Sequence, residues 1–298
     1  MRLRIATIGR SGQTAQALAA CAAADPGVSL IQAGAREADL ADAASLARFI
    51  SAARPDVLIN TGAYNFVDRA EQEPDLAMRI NADGPAALAR LTQTLGIPFI
   101  HMSTDCVFDG ASARPYREED PPCPLSAYGR SKLAGEQAVA ALNPGAVTAR
   151  VCWVYSEYAE TFVSKMIALA RARREIEVVS DQTGPPTYAP DIARALLRLA
   201  HEMHAGAADL PQVFHIAAPL IMDRAAMAQD IMNESARQGG PSAQIRPVLT
   251  SHFNAPARRP LNARLDGSAA AARLALSWTD WRQALARSVA GVLARPSP

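Results

Sequence analysis

IATIGRSGQTA, residues 5–15, passes from an apolar run into an alanine-rich segment through two glycines, Gly9 and Gly12. A strand that ends in glycines and opens at once into a helix is the start of a dinucleotide-binding βαβ unit. There the glycines bend the turn, let backbone N–H groups approach a pyrophosphate and leave it at a helix N-terminus. Ala15 stands where a third glycine is usual and is small enough for close helix packing. A glycine turn with no ligand has the same local composition, so the rhythm around it has to discriminate.

That rhythm repeats. VSLIQAG, DVLINTG, FIHMST and AVTARVCWVY are further apolar runs, and helices are expected near 12–23, 42–53, 74–95 and 127–142. Nearly unbroken apolar strands alternating with helices predict an α/β fold, a doubly wound parallel sheet (Rossmann) buried on both faces. Beyond Tyr155 the pattern loosens. Helices are expected near 160–173, 190–203, 223–237 and around Trp281, strands at EIEVV and VFHIAA, and a loop at DQTGPPT. The proline-rich run from Pro241 to Pro260 is expected to interrupt regular structure. The chain is therefore divided into a nucleotide-binding domain over residues 1–152 and a smaller α/β substrate domain over 153–298, with some later strands returning to the first sheet.

With 298 residues and 49% hydrophobic side chains there is ample material for a buried core. Thirty basic against twenty-nine acidic residues leave a formal charge of +1, which gives no global attraction for nucleic acid or an anionic membrane. Any anion must be held locally. The start, MRLRIATIGRSG, is too short an apolar run for a signal peptide, and no stretch is long enough to span a bilayer. Cys21, Cys106, Cys123 and Cys152 are scattered, without C-x-x-C or clustered histidines. That argues against a zinc site and a disulfide framework and for a cytoplasmic protein.

In an open parallel sheet the ligand crevice lies beyond the carboxyl ends of the strands. Thr61-Gly62-Ala63-Tyr64 follow the third strand and Ser103-Thr104-Asp105 end the fourth. The second strand ends in Gln32-Ala33-Gly34 without the carboxylate that usually meets the adenosine ribose, while Arg10 and Arg36 offer positive charge to a 2′-phosphate. The expected cofactor is NADPH, a preference over NADH that need not be exclusive. In SAYGRSKLAGE, residues 126–136, Ser126 can cap a helix on which Tyr128 and Lys132, at i and i+4, share one face. Taken alone, that pair reads better as a solvated, amphipathic helix start, because motif matches this short are common.

The conjunction is more specific than its parts. GRSGQ, NTGAYNFVDRAE, HMSTDCVFDG, YGRSKLAGE, CWVY, DQTGPPT and ARRPLNARLD, in order over nearly the whole chain, resemble the dTDP-4-dehydrorhamnose reductases of the extended short-chain dehydrogenase/reductase family. The resemblance implies hydride transfer from NADPH, or NADH, to the C4 ketone of dTDP-4-dehydro-L-rhamnose. The product would be dTDP-L-rhamnose, used for cell-surface polysaccharide. It implies Tyr128 as general acid, Thr104 as hydrogen-bond donor to the carbonyl oxygen and Lys132 as the residue holding the nicotinamide ribose. A free phenol, with a pKa of about 10, donates poorly at neutral pH, and the ammonium one turn away is expected to ease the donation.

Cofactor contacts are implied at Gly9, Arg10, Ser11, Gly12, Gln13, Thr14, Arg36, Asp39, Leu40, Thr61, Gly62, Ala63, Tyr64 and Met102, besides Tyr128 and Lys132. Substrate contacts are implied at Val67, Thr104, Asp105, Trp153, Gln182, Thr187, Arg258 and Arg259. Two departures bear on the sugar accepted: Cys106 where the family has an aromatic residue, and Tyr64 where it has a histidine. No metal is carried over, because Ala15 occupies the early position of the glutamate that links some members into dimers; a homodimer is left open. Two alternatives also stay open. One is a reductase or epimerase of another nucleotide-linked 4-keto sugar, the other a non-catalytic NADP-binding regulatory subunit, and fold alone does not decide between them.

Overall fold

The structure is a computed structural model that describes residues 2–295. Strand β1 (Leu3–Ile8) leads through the glycine turn into α1 (Gln13–Ala23), followed by β2 (Val28–Ala33), α2 (Ala43–Ala53) and β3 (Val57–Asn60). Short helices α3 (Val67–Ala70) and α4 (Pro74–Met78), a π-helical turn Arg79–Asp83 and α5 (Gly84–Leu95) precede β4 (Phe99–Thr104), α6 (Ala127–Leu142) and β5 (Val147–Val151). Next come β6 (Val154–Tyr155), α7 (Phe162–Ala172), β7 (Glu175–Val179), β8 (Thr183–Gly184), β9 (Thr187–Tyr188) and α8 (Ala189–His204). The chain continues with β10 (Val213–Ile216), β11 (Met222–Asp223), α9 (Arg224–Arg237), β12 (Gln244–Val248), α10 (Ser268–Arg273) and α11 (Trp281–Leu293).

β3 and β5 are buried at every position, and such strands need helices on both faces of their sheet. A six-stranded sheet in the order β10-β5-β4-β3-β1-β2, parallel throughout, supplies that arrangement. α1 and α8 cover one face around Leu18, Ile192 and Leu196. α2, α5 and α6 cover the other around Leu46, Leu88 and Val139. The strand order reverses between β1 and β3, so the turns after them diverge and open a crevice at the carboxyl edge. A further core, around Ile167, Ile231 and Val289, joins α7, α9 and α11 to the parallel pair β7–β12. Among the described residues, no helix is long and apolar enough to cross a membrane.

Two expectations are corrected. The proline-rich run is not free of regular structure: Gln244–Val248 forms β12 and pairs residue by residue with β7, Pro247 opposite Val178. In a two-stranded pair every strand is an edge, where proline's missing N–H can face outward without loss of a ladder bond. The helix expected over 74–95 is interrupted by the π-helical turn. Asn81 in that turn accepts from the Tyr64 N–H at 2.8 Å and donates to the Tyr64 carbonyl at 3.1 Å and the Ser131 hydroxyl at 3.0 Å. The irregular turn thus fixes the loop after β3 against α6.

α6 starts where its sequence says it should. The Ser126 hydroxyl accepts the Gly129 N–H at 3.1 Å, and Glu71 Oε1 accepts the Ala127 N–H at 2.7 Å, so two of the orphan amides are satisfied. A Cβ on Gly129 would lie 2.2 Å from the Cys106 carbonyl oxygen, so only glycine lets this first turn rest on the turn after β4. Gly129→Ala is expected to cost about 1–3 kcal/mol through overpacking. A thermal melt of the variant indistinguishable from wild type would contradict that contact.

Candidate active site

A cleft of about 1480 Å³ runs along the carboxyl edge of the sheet, closed on its outer side by residues 250–261 and the start of α9. At one end lies the glycine turn. Gly9 has φ +103°, and a Cβ there would lie 2.5 Å from Thr61 Oγ1 and 3.0 Å from the Gly62 nitrogen. The β1 and β3 turns therefore touch, while a Cβ on Gly12 would meet open space. α1 has no side-chain cap, and Gly12, Gln13, Thr14 and Ala15 line the cleft. Free first-turn amides at the positive end of a helix dipole fit a pyrophosphate. Thr61, Ala63 and Met102 also line the cleft. Leu40 is buried behind Gly62, whose Cβ would lie 3.1 Å from Leu40 Cδ1, so both back the wall without lining it.

The end of β2 differs from the expectation of no carboxylate. Glu37 folds back from the following turn: Oε2 accepts the Gly34 N–H at 2.9 Å and Oε1 lies 3.2 Å from the Arg10 guanidinium. Against the opposing effect of burial, that N–H and Arg10 hold the Glu37 carboxyl below the usual range. Ser11 and Arg36 are exposed, and Asp39 is turned locally, its Oδ1 accepting the Ala41 N–H. None of Arg10, Ser11, Arg36 and Asp39 lines the cleft.

At the deep end Thr104, Tyr128 and Lys132 come together on the cleft wall, all buried. Thr104 Oγ1 donates to Asp105 Oδ1 at 3.0 Å and accepts the Cys106 N–H at 3.1 Å. Tyr128 donates to Asn65 Oδ1 over a long 3.4 Å, and Lys132 Nζ donates to the Met102 carbonyl at 2.7 Å. Burial pushes the Tyr128 phenol up, with Cys106 and Asp105 adding to it, so the expected easing by the ammonium does not govern in this environment. Burial also pushes Lys132 down to about 8, against Glu136, and Asp105 up to about 6, against Thr104 and Arg224. Ser103 lines the same cleft, and its hydroxyl is buried with no hydrogen-bond partner among the described residues. Such an orphan is what a ligand can satisfy.

Of the expected substrate residues, Val67, Asp105, Trp153, Gln182, Arg258 and Arg259 line the cleft. Thr187 does not. It is fully buried, its hydroxyl donating to the Pro185 carbonyl at 3.1 Å and accepting the Ala218 N–H at 3.3 Å, so it shapes the loop. Tyr64 also turns away, its phenol donating to Glu73. Arg259 is held by Asp68 at 2.6 Å, whereas Arg258 is exposed with no ion-pair partner among the described residues. Asn65, Asp68, Glu37 and Arg224 were not singled out from the sequence. Asn65 and Asp68 lie within NTGAYNFVDRAE, but nothing in the pattern around Arg224 marks it.

The RmlD substrate binding domain family model matches residues 3–293. A dTDP-4-dehydrorhamnose reductase of Sinorhizobium fredii is 40% identical over 292 residues, 98% of each chain. Solved structures of dTDP-4-dehydrorhamnose reductases are similar throughout. That from Clostridium acetobutylicum is 30% identical with a TM-score of 0.88, covering 97% of this chain and 99% of its own. That from Bacillus anthracis, in complex with NADP, is 31% identical with a TM-score of 0.86, covering 96% and 98%. By the extent of these matches, the chain belongs to the RmlD substrate binding domain family, among the dTDP-4-dehydrorhamnose reductases of the extended short-chain dehydrogenase/reductases.

Proposed function

We propose that this chain reduces dTDP-4-dehydro-L-rhamnose to dTDP-L-rhamnose with NADPH. The observation that carries the reading is the convergence of Thr104, Tyr128 and Lys132 on one cleft whose other end holds the uncapped N-terminus of α1. When bound, NADPH supplies hydride to the carbonyl carbon. The first-turn amides of α1 hold the pyrophosphate, and Lys132 donates to ribose hydroxyls. The Thr104 hydroxyl, which donates to Asp105 Oδ1 in the free protein, turns to donate to the ketone oxygen and stabilises the charge that grows there. Tyr128 gives its phenolic proton to that oxygen, and the Lys132 ammonium limits the cost of the phenolate left behind. Arg258, exposed at the cleft and without an ion pair among the described residues, takes the diphosphate. In this reading residues 1–152 serve mainly the cofactor and 153–298 mainly the sugar nucleotide. A cytoplasmic site of action is supported by four free cysteines.

The direct test is NADPH oxidation with dTDP-4-dehydro-L-rhamnose, set beside the same assay with UDP- and GDP-linked 4-keto sugars. Tight NADPH binding without turnover of any of them would sink the reading and favour a regulatory subunit. Cofactor choice has its own test. A carboxylate accepts ribose hydroxyls but repels a 2′-phosphate, and Glu37 stands beside Arg10, which attracts one. Glu37→Gln is expected to tighten NADPH binding by roughly three- to tenfold, and NADH binding not at all, a modest effect because both groups are exposed. Fluorescence titrations giving an unchanged ratio of dissociation constants would place the pair outside the cofactor's reach.

A further inference from the structure

Arg224 opens α9 and lines the cleft beside Asp105 and Gln182. Its guanidinium lies 3.6 Å from the Trp153 ring centroid and 5.0 Å from that of Phe162. The stack is built from below as well. Trp153 adopts φ +42°, a backbone conformation that bulky residues avoid, and Gly184 packs against the indole so closely that a Cβ there would lie 2.7 Å from it. The fold thus accepts strain to place the indole where Arg224 rests on it.

Stacking engages the face of a guanidinium and leaves its five N–H donors, which lie in its plane, to find acceptors elsewhere. One reaches the weak acceptor Met227 Sδ at 4.0 Å. Among the described residues no carboxylate lies within ion-pairing distance of the others. Donors left open on a half-buried cleft wall are available to an acceptor from a ligand. Asp105 attracts Arg224 without touching it, and its own Oδ1 takes the Thr104 hydroxyl, the group assigned to the ketone oxygen.

A carboxylate and a guanidinium that line one cleft and attract each other without pairing suit a vicinal diol: each hydroxyl can give its proton to the carboxylate and accept one from the guanidinium. They suit a phosphate less, because the Asp105 carboxylate that attracts Arg224 would repel it, whereas Arg258 is exposed at the cleft and without an ion pair among the described residues. We propose that Asp105 and Arg224 form a diol-reading subsite for the hexose hydroxyls next to the reacting carbonyl. Arg224 is then a specificity-determining residue, and the inference rests on the reductase reading above.

Calorimetric titration of wild type and Arg224→Met with dTDP, dTDP-L-rhamnose and NADPH tests it. Arg224→Met is expected to bind dTDP-L-rhamnose about 10- to 100-fold more weakly, with dTDP and NADPH each changed less than about twofold. Arg224→Lys, which keeps the charge but not the planar fork and preserves the packing if methionine disrupts it, should show the same split in smaller measure. Equal weakening of dTDP and dTDP-L-rhamnose would assign Arg224 to the diphosphate and overturn the subsite alone. So would unchanged binding of both, which would leave the stack purely structural. A wild type that binds dTDP-L-rhamnose no better than dTDP would overturn the nucleotide-sugar reading itself, and the subsite with it.

Discussion

Tyr128→Phe is expected to lower kcat by about 10³-fold, within the range removed by loss of a general acid, while NADPH affinity stays within about twofold. The substitution is clean because the ring keeps its packing against Tyr64, Ala70, Ala77 and Ala127, and only the hydroxyl is lost. That hydroxyl makes one long hydrogen bond, 3.4 Å to Asn65 Oδ1, so stability should hardly change. Burial, Cys106 and Asp105 all push the phenol up, so it keeps its proton further into alkaline pH than a free phenol and its titration should not set the alkaline limb of the pH profile. A donor so reluctant can act only when strong negative charge appears within hydrogen-bond reach. The loss should therefore fall on kcat and not on KM, because the interaction is made in the transition state. Steady-state assays returning a near-normal kcat would move the proton to solvent and leave Tyr128 as a packing residue.

What the sequence disclosed follows from how each feature is encoded. β1, β3, β4 and β5 announce themselves because a doubly covered strand must be apolar at nearly every position, and Gly9 because its positive φ and the Thr61 contact both exclude a side chain. β12 stayed hidden because QIRPV mixes polar residues with a proline, and its strand character comes only from pairing with β7. Glu37 lies beyond the end of its strand and reaches the turn by folding back onto Gly34, a contact that distance along the chain does not encode. Thr187 was legible as a loop residue, but whether its hydroxyl meets a ligand or the Pro185 carbonyl depends on the direction of one short side chain. Arg224 depends on Trp153, seventy-one positions earlier, taking a strained backbone conformation, and no local pattern predicts that.

Lys132→Met is expected to make the protein more stable at pH 7 and nearly inactive. The Lys132 side chain is only 3% exposed, donates to one carbonyl and has no ion pair among the described residues, so its charge is poorly compensated. Burial pushes its pKa from 10.5 down to about 8, a difference corresponding to about 3 kcal/mol of penalty on the charged form. The sign follows from proton counting. Between pH 8 and 10.5 the unfolded lysine is still protonated while the folded one is not, so wild-type stability rises with pH across that window and falls as pH drops through about 8. Methionine fills the stem's volume without the charge and forfeits one hydrogen bond worth about 1 kcal/mol, leaving a net gain of about 2 kcal/mol at neutral pH. Thermal melts should show the variant ahead of wild type at pH 7, with the gap closing as pH rises from about 8 towards 10.5. Turnover should fall by about 10²-fold or more, because the ammonium that penalises folding is the group that supports the phenolate. In wild type kcat/KM should likewise decline above pH about 8, as the ammonium loses its proton. A variant less stable than wild type at pH 7 would mean that the buried charge is compensated, and that Lys132 serves the fold. The opposite result would identify it as a residue whose placement the fold tolerates only because the chemistry requires a cation there.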